Sequence, residues 1–189
     1  ITITREFGSG GRTIAKKLAE KLGYAYYDYE IVQQIAQESG FAKEYIEENG
    51  EDATSTSTFG FIWNNYGYNL SDELYIAQRN VICELADKGN CVIVGRCSNY
   101  ILEQADIDSF DVFIKADIEK RAENVADRVE LKGEELIKFL QRRDHKRRVY
   151  YRFYTRRKWG DYHDYNMMLD SGMIGKDKCV DMIISAIGE

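Results

Sequence analysis

Gly8-Ser9-Gly10-Gly11 runs directly into Arg12 and Thr13. Consecutive glycines let a turn present its backbone N–H groups to an anion, because they accept φ values closed to other residues and carry no Cβ to obstruct close approach. A guanidinium beside the last glycine adds charge, and a hydroxyl one residue further on can hold a magnesium ion that accompanies phosphate. The chemistry open to Gly8, Ser9, Gly10, Gly11, Arg12 and Thr13 is therefore polyphosphate binding, with Thr13 toward the metal. The match to G-x-x-x-x-G-K-[ST] is incomplete, since Glu6 stands at the first glycine and Arg12 at the lysine. A glycine-rich turn that binds nothing is the competing reading. The context favours phosphate: a β-branched segment precedes the turn and a helical pattern follows it.

Further candidates lie downstream. Asp28 closes a short aromatic segment, where a carboxylate could orient an acceptor hydroxyl or a metal-bound water, or cap the helix expected to begin near Glu30. The two roles are compatible. Arg96, after Gly95, is either a cation for an anionic substrate or half of a surface ion pair, and Arg79 is either a substrate contact or part of a solvated helix face. Arg142, Arg143, Lys146, Arg147, Arg148, Arg152, Arg156, Arg157 and Lys158 crowd one stretch. Arg148, Arg152 and Arg156 recur every four residues, so a helix stacks like charges at a cost of about 0.2–0.5 kcal/mol per pair. A transferring phosphoryl group gripped by guanidinium forks would offset that cost. A solvated charged face and an RNA-binding helix compete with this reading, the latter because Tyr150, Tyr151, Phe153 and Tyr154 could stack on bases. Trp159 reads as a cap on the core rather than a base platform. His145 and His163 have no recognisable triad partners.

The elements that must position these groups follow from periodicity. Ile1-Thr2-Ile3-Thr4 alternates and is β-branched, which predicts a strand. Ile14, Ala15, Leu18, Ala19 and Leu22 recur at helical spacing, and Gly23 stops that helix. Tyr24 to Tyr27 predicts a short strand and Glu30 to about Ser39 a helix. Residues 41–71 turn acidic, then Ser/Thr-rich, then aromatic and Asn-rich, which marks an insertion. Asp72 to Asp87 predicts a helix. The apolar runs at Cys91 to Val94 and Asp111 to Ile114 predict strands buried on both faces. Helical patterns follow over Ile118–Val129 and Glu134–Tyr154, then a last strand near Tyr165–Leu169 and a helix over Lys178–Ile187. Alternation of strands and helices implies a parallel sheet covered on both sides, with ligands at the carboxyl ends of the strands.

Bulk properties bound the answer. At 189 residues, 44% hydrophobic and 31% charged, the chain suits one α/β domain and is too short for two. A net charge of -6 argues against a nucleic-acid partner. The four cysteines, Cys83, Cys91, Cys97 and Cys179, form no C-x-x-C pair and read as reduced thiols, with Cys83 and Cys91 buried. No apolar run spans a bilayer and no signal peptide is visible, so a cytoplasmic location and no membrane partner are expected.

Taken together, I-T-I-T-R-E-F-G-S-G-G-R-T, Tyr26-Tyr27-Asp28, Gln78-Arg79, V-I-V-G-R at 92–96, Arg143-Asp144, Trp159-Gly160-Asp161 and Tyr165-Asn166 resemble the cytidylate kinase-like branch of P-loop kinases. The resemblance spans nearly the whole chain and is weakest at 41–71. It departs at Val94 and Cys97, where that family has Asp on either side of the Gly-Arg pair. It implies a P-loop three-layer α/β/α fold with a five-stranded parallel sheet, formed by a single domain over 1–189. Within it lie a nucleoside-monophosphate-binding insertion at 41–71 and a helical lid at 140–162. It further implies ATP and Mg2+ as cofactors and a small-molecule nucleotide as partner. The donor phosphates would be held at Gly8 to Thr13. Arg12, Asp28, Arg143 and Arg147 would carry catalysis, and Asp28, Arg79 and Arg96 would bind the acceptor. The expected activity is transfer of the γ-phosphoryl group of ATP to a nucleoside monophosphate, CMP-like. A kinase of a small metabolite hydroxyl, similar to shikimate kinase, and a nucleotide-binding regulator with little turnover are the alternatives.

Overall fold

The computed structural model describes residues 1–32 and 69–188. Strand β1 (Thr2–Arg5) leads through the glycine turn into α1 (Gly11–Leu22) and β2 (Ala25–Tyr27). A helical turn opens at 29–32. After it come α2 (Asn69–Asp87), β3 (Cys91–Val94), α3 (Ser98–Gln104), β4 (Asp111–Lys115), α4 (Ile118–Val125) and α5 (Gly133–Thr155). A 3-10 turn (Tyr162–Asp164), β5 (Met167–Asp170), α6 (Ser171–Ile174) and α7 (Lys176–Ile187) complete the described chain. Most of the 41–71 insertion, and the expected helix beyond residue 32, lie outside the described residues.

The strands form one five-stranded sheet in the order β2-β3-β1-β4-β5. Every pairing is parallel, with Ile3 opposite both Val94 and Val112. Parallel strands need helical crossovers, and these cover both faces, as the apolar runs required. Alternation along β3 divides the core. Val92 and Val94 join Ile14, Leu18, Val180 and Ile183 under α1 and α7, while Cys91 and Ile93 join Ala77, Ile82, Ile101 and Tyr151 under α2, α3 and α5. Ile14 and Leu18 are fully buried, contributing about 1.5–3 kcal/mol each. Helix α1 ends where expected, with Gly23 in the left-handed region at φ 67°. A third small cluster of Val125, Leu136 and Leu140, joined by Phe7 and Phe139, props the glycine turn on α4 and α5.

Two details depart from the sequence expectation. Helix α3 carries no amphipathic signal because it is short and starts from an unusual turn: Gly95, Arg96 and Cys97 have φ of 80°, 59° and 57°. Cys83 is half-buried, whereas Cys91, Cys97 and Cys179 are buried; all are free thiols. Among the described residues no helix is long and apolar enough to cross a membrane.

Candidate active site

The carboxyl ends of β1, β2 and β3 open onto one cleft of about 610 Å³. Its floor is the turn from Arg5 to Gly11, and one wall is the first turn of α1. Gly10, the residue before that helix, has φ 80° and offers no side chain as a cap. The opening N–H groups of a helix have no intrahelical acceptor, so they are left for a ligand at the positive end of the dipole. The glycines are there for space as well. A Cβ on Gly8 would lie 2.8 Å from the Arg121 carbonyl, and one on Gly11 would lie 2.5 Å from the Arg5 Cβ.

Side chains outside the motif hold this turn in shape. Phe7 N–H donates to Asp144 Oδ1 at 2.7 Å. Asp144 Oδ2 is paired with the Arg121 guanidinium, which also donates to the Phe7 carbonyl. Both partners are more than nine-tenths buried, so the pair is anchored as a unit. Glu6 accepts from Ala116 N–H at 3.1 Å and lies 3.7 Å from Arg121. Burial pushes the Glu6 carboxyl above its ordinary range, with the Ala116 N–H and Arg121 countering. Asn124 donates to the Gly8 carbonyl at 2.9 Å and accepts from Lys176 at 3.0 Å. The residue that departs from the motif, Glu6, is thus structural: it ties the turn to the end of β4.

The motif's cation faces the opposite wall. Arg12 Nη2 lies 2.5 Å from Asp28 Oδ2 and 2.7 Å from Glu30 Oε2. Asp28 also accepts from the N–H groups of Glu30 at 3.1 Å and Ile31 at 3.3 Å, so it does cap the helical turn at 29–32. Burial pushes the Asp28 carboxyl up, but the Ile31 N–H and Arg12 more than offset this and leave it below the usual carboxylate range. Hydrogen bonding to Glu30, chiefly, raises Arg12 above the ordinary range for arginine.

The left-handed run at Gly95 to Cys97 costs about 1–2 kcal/mol for each residue with a Cβ, and it turns β3 sharply into α3. It seats the Arg96 guanidinium 3.7 Å from the Tyr29 ring centroid and 5.1 Å from that of Tyr150. From α5, Arg147 donates to the Arg5 carbonyl at 2.7 Å. Arg143 lies over Phe7, 5.0 Å from its centroid. Burial pulls Arg147 down to about 10.

The cleft therefore gathers Gly8, Gly10, Gly11, Arg12, Thr13, Asp28, Arg96, Arg143 and Arg147. Two of the residues expected here, Arg79 and Ser9, turn their side chains elsewhere among the described residues. Arg79 does not line the cleft. Its neighbour Gln78 is buried beneath Tyr150, and one helical step turns Arg79 to a shallow outer hollow with Cys83 and Asp87. The Ser9 side chain is likewise turned away: its hydroxyl donates to the Glu6 carbonyl at 2.9 Å and is fully buried. Trp159 does cap the core, edge-on to Phe113 at 5.3 Å, while one side lines the cleft. Sequence reasoning missed Arg5, Arg121, Asn124 and Lys176. Arg5 was visible as a charge ending a β-branched strand; the other three reach the turn only through tertiary packing.

For a metal, the cleft offers the Thr13 hydroxyl together with the carboxylates of Asp28 and Glu30. Hydroxyl and carboxylate oxygens beside a phosphate-sized anion site suit magnesium, which takes few protein ligands and keeps the rest for water and phosphate.

Known proteins of this architecture include shikimate kinase from Bacteroides thetaiotaomicron, with a TM-score of 0.57 at 16% identity over 100% of this chain and 97% of that one. At that identity the match speaks for the fold alone. An uncharacterized protein from Eubacterium ventriosum superposes with a TM-score of 0.75 at 28% identity, over 98% of this chain and 96% of that one. A cytidylate kinase from Archaeoglobus fulgidus is 29% identical over 197 aligned residues, covering 99% of this chain and 93% of that protein. The sequence model of the cytidylate kinase-like family matches residues 1–173. With its parallel sheet and glycine turn, this chain belongs to the cytidylate kinase-like family.

Proposed function

We propose that this protein transfers the γ-phosphoryl group of ATP to a nucleoside monophosphate, CMP-like. The observation that carries the proposal is the convergence on one cleft of the α1 amino terminus with Arg96, Arg143 and Arg147. Donor phosphates lie along the N–H groups from Gly8 to Thr13. Thr13 with Asp28 or Glu30 would hold magnesium, which would supply charge neutralisation on those phosphates. Arg12 swings between the Asp28–Glu30 carboxylates and the donor, because the anion it pairs with changes when polyphosphate arrives. Asp28 orients the acceptor, Arg96 holds its anionic end, and Arg143 and Arg147 bring charge over the transferring group from the lid helix. Phosphoryl transfer needs placement and charge neutralisation more than covalent help, and this cleft supplies both.

The acceptor's base is a separate matter. Asp144, next to the lid arginine, spends both oxygens on Phe7 and Arg121, and Cys97 offers no carboxylate. A coupled ADP-release assay over CMP, UMP, AMP, GMP and small hydroxylated metabolites such as shikimate tests the proposal. Turnover with a nucleoside monophosphate supports it, and turnover only with a metabolite replaces its acceptor. Tight ATP binding without turnover on any acceptor favours a nucleotide-binding regulator instead.

A further inference from the structure

Arg5 was no part of the motif, yet its side chain crosses the centre of the cleft. A Cβ on Gly11 would lie 2.5 Å from the Arg5 Cβ and 2.8 Å from its Cγ, so the stem passes beneath the glycine turn. At Gly95, the atom nearest to a would-be Cβ is Arg5 Nη1, so the guanidinium ends against the Gly95-Arg96 turn. The side chain thus runs from the donor end to the acceptor end.

Among the described residues, its charge stands without a carboxylate. Arg12, Arg121 and Arg157 all pair with carboxylates. Among the described residues, no carboxylate pairs with Arg5, Arg96 or Arg147. Burial first, then Arg147, with smaller effects from Arg96 and Arg12, pull Arg5 down to about 9, against a countering effect of Tyr26. It remains charged at neutral pH, and the fold holds it there at a cost. A site that keeps guanidinium groups together without counter-charge is built for an anion of more than one charge. The donor already has the amides of the turn with Arg12 and Thr13, and the Arg5 head ends against Gly95.

We infer that Arg5 is a substrate-binding residue whose guanidinium, with those of Arg96 and Arg147, holds the phosphate of the acceptor, so that the acceptor is a phosphomonoester dianion. This rests on the phosphotransfer reading above. Arg5 discriminates a nucleoside monophosphate from the bare nucleoside, and it does so from the sheet itself, independently of lid position.

The test compares wild type, Arg5→Gln and Arg5→Lys in steady-state kinetics, with calorimetric binding of CMP, UMP, AMP and GMP and of the matching nucleosides. Arg5→Gln is expected to raise the acceptor KM by about 10- to 100-fold, the scale of a lost charged hydrogen bond, while the ATP KM stays within about threefold. Nucleoside binding should not change, and the melting temperature should hold or rise, because an uncompensated buried charge has gone. Arg5→Lys keeps the charge and the stem and should fall between the two, which also covers the case in which Arg5→Gln does not fold. Added guanidinium ion should restore part of the acceptor affinity of Arg5→Ala. An unchanged acceptor KM in Arg5→Gln, with wild type active on a nucleoside monophosphate, overturns this inference alone. So does a loss that falls on the ATP KM. A wild type that neither binds nor phosphorylates any nucleoside monophosphate removes the acceptor assignment and this inference together.

Discussion

At the Gly8 to Gly11 end of the cleft, the groups facing a ligand are backbone amides, and buried side chains outside the motif hold them in place: Arg121, Asp144, Glu6 and Asn124. At the Asp28 to Arg96 end, the facing groups are themselves side chains, supported by aromatic rings and by each other. On the proposed reading, the difference is what lets the phosphate motif tolerate its own substitutions. Amide chemistry depends on the path of the backbone, so Glu6 can stand at a glycine position provided that it ties the path down. Side-chain chemistry has no such latitude, and an altered residue there alters what is recognised.

If the glycine turn depends on its buried props, Asp144→Ala should have the largest effect of any single change. It leaves buried Arg121 with only the more distant Glu6 carboxylate, at about 3–5 kcal/mol, and should lower the melting temperature by about 10 °C or more. A variant that melts with wild type would break the contrast at its stronger end. Arg12→Ala probes the residue shared by both ends. The fold should stay intact while ATP affinity, measured by titration, falls by about 100-fold, the scale of a lost charged hydrogen bond. Unchanged ATP affinity would remove Arg12 from the donor site.

Smaller effects belong to the other wall. Asp28→Ala removes a helix cap and should cost about 1 kcal/mol in chemical denaturation. The folded Asp28 carboxyl lies below its unfolded range, so its contribution is fully present above that range and is lost as pH falls through the folded value. Stability curves of wild type and Asp28→Asn should therefore differ at neutral pH and converge in acid; a constant difference would mean that Asp28 acts without its charge. Glu30→Gln weakens an exposed pair and should change stability by less than about 1 kcal/mol, with any larger effect read in ATP binding as Arg12 is freed.

The sheet and its principal helices were legible because burial on one face or two leaves a period in the sequence. Val92 to Val94 and Ile14 to Leu18 carry that period plainly, whereas Ser98 to Gln104 does not, being a short helix launched from a left-handed turn. The glycine turn was legible because its composition is itself the constraint. Arg79 lies off the described cleft because helical phase separates it from its neighbour Gln78, which sequence proximity does not reveal. Arg121 and Asn124 were invisible because their work depends on where α4 docks. Arg5 could be seen only as an oddity, since its meaning comes from what does not pair with it.

The hydroxyl of Ser171 lies 2.5 Å from the Ser9 carbonyl and 3.0 Å from that of Lys115, clasping the glycine turn to the far side of the sheet. The glycine turn thus waits for a residue 162 positions further along the chain before its clasp can form. A nascent chain halted short of Ser171 should display α1 and the first strands with an open, nucleotide-blind turn. On the proposed reading, nucleotide capture would then report that the chain has been made at least as far as Ser171.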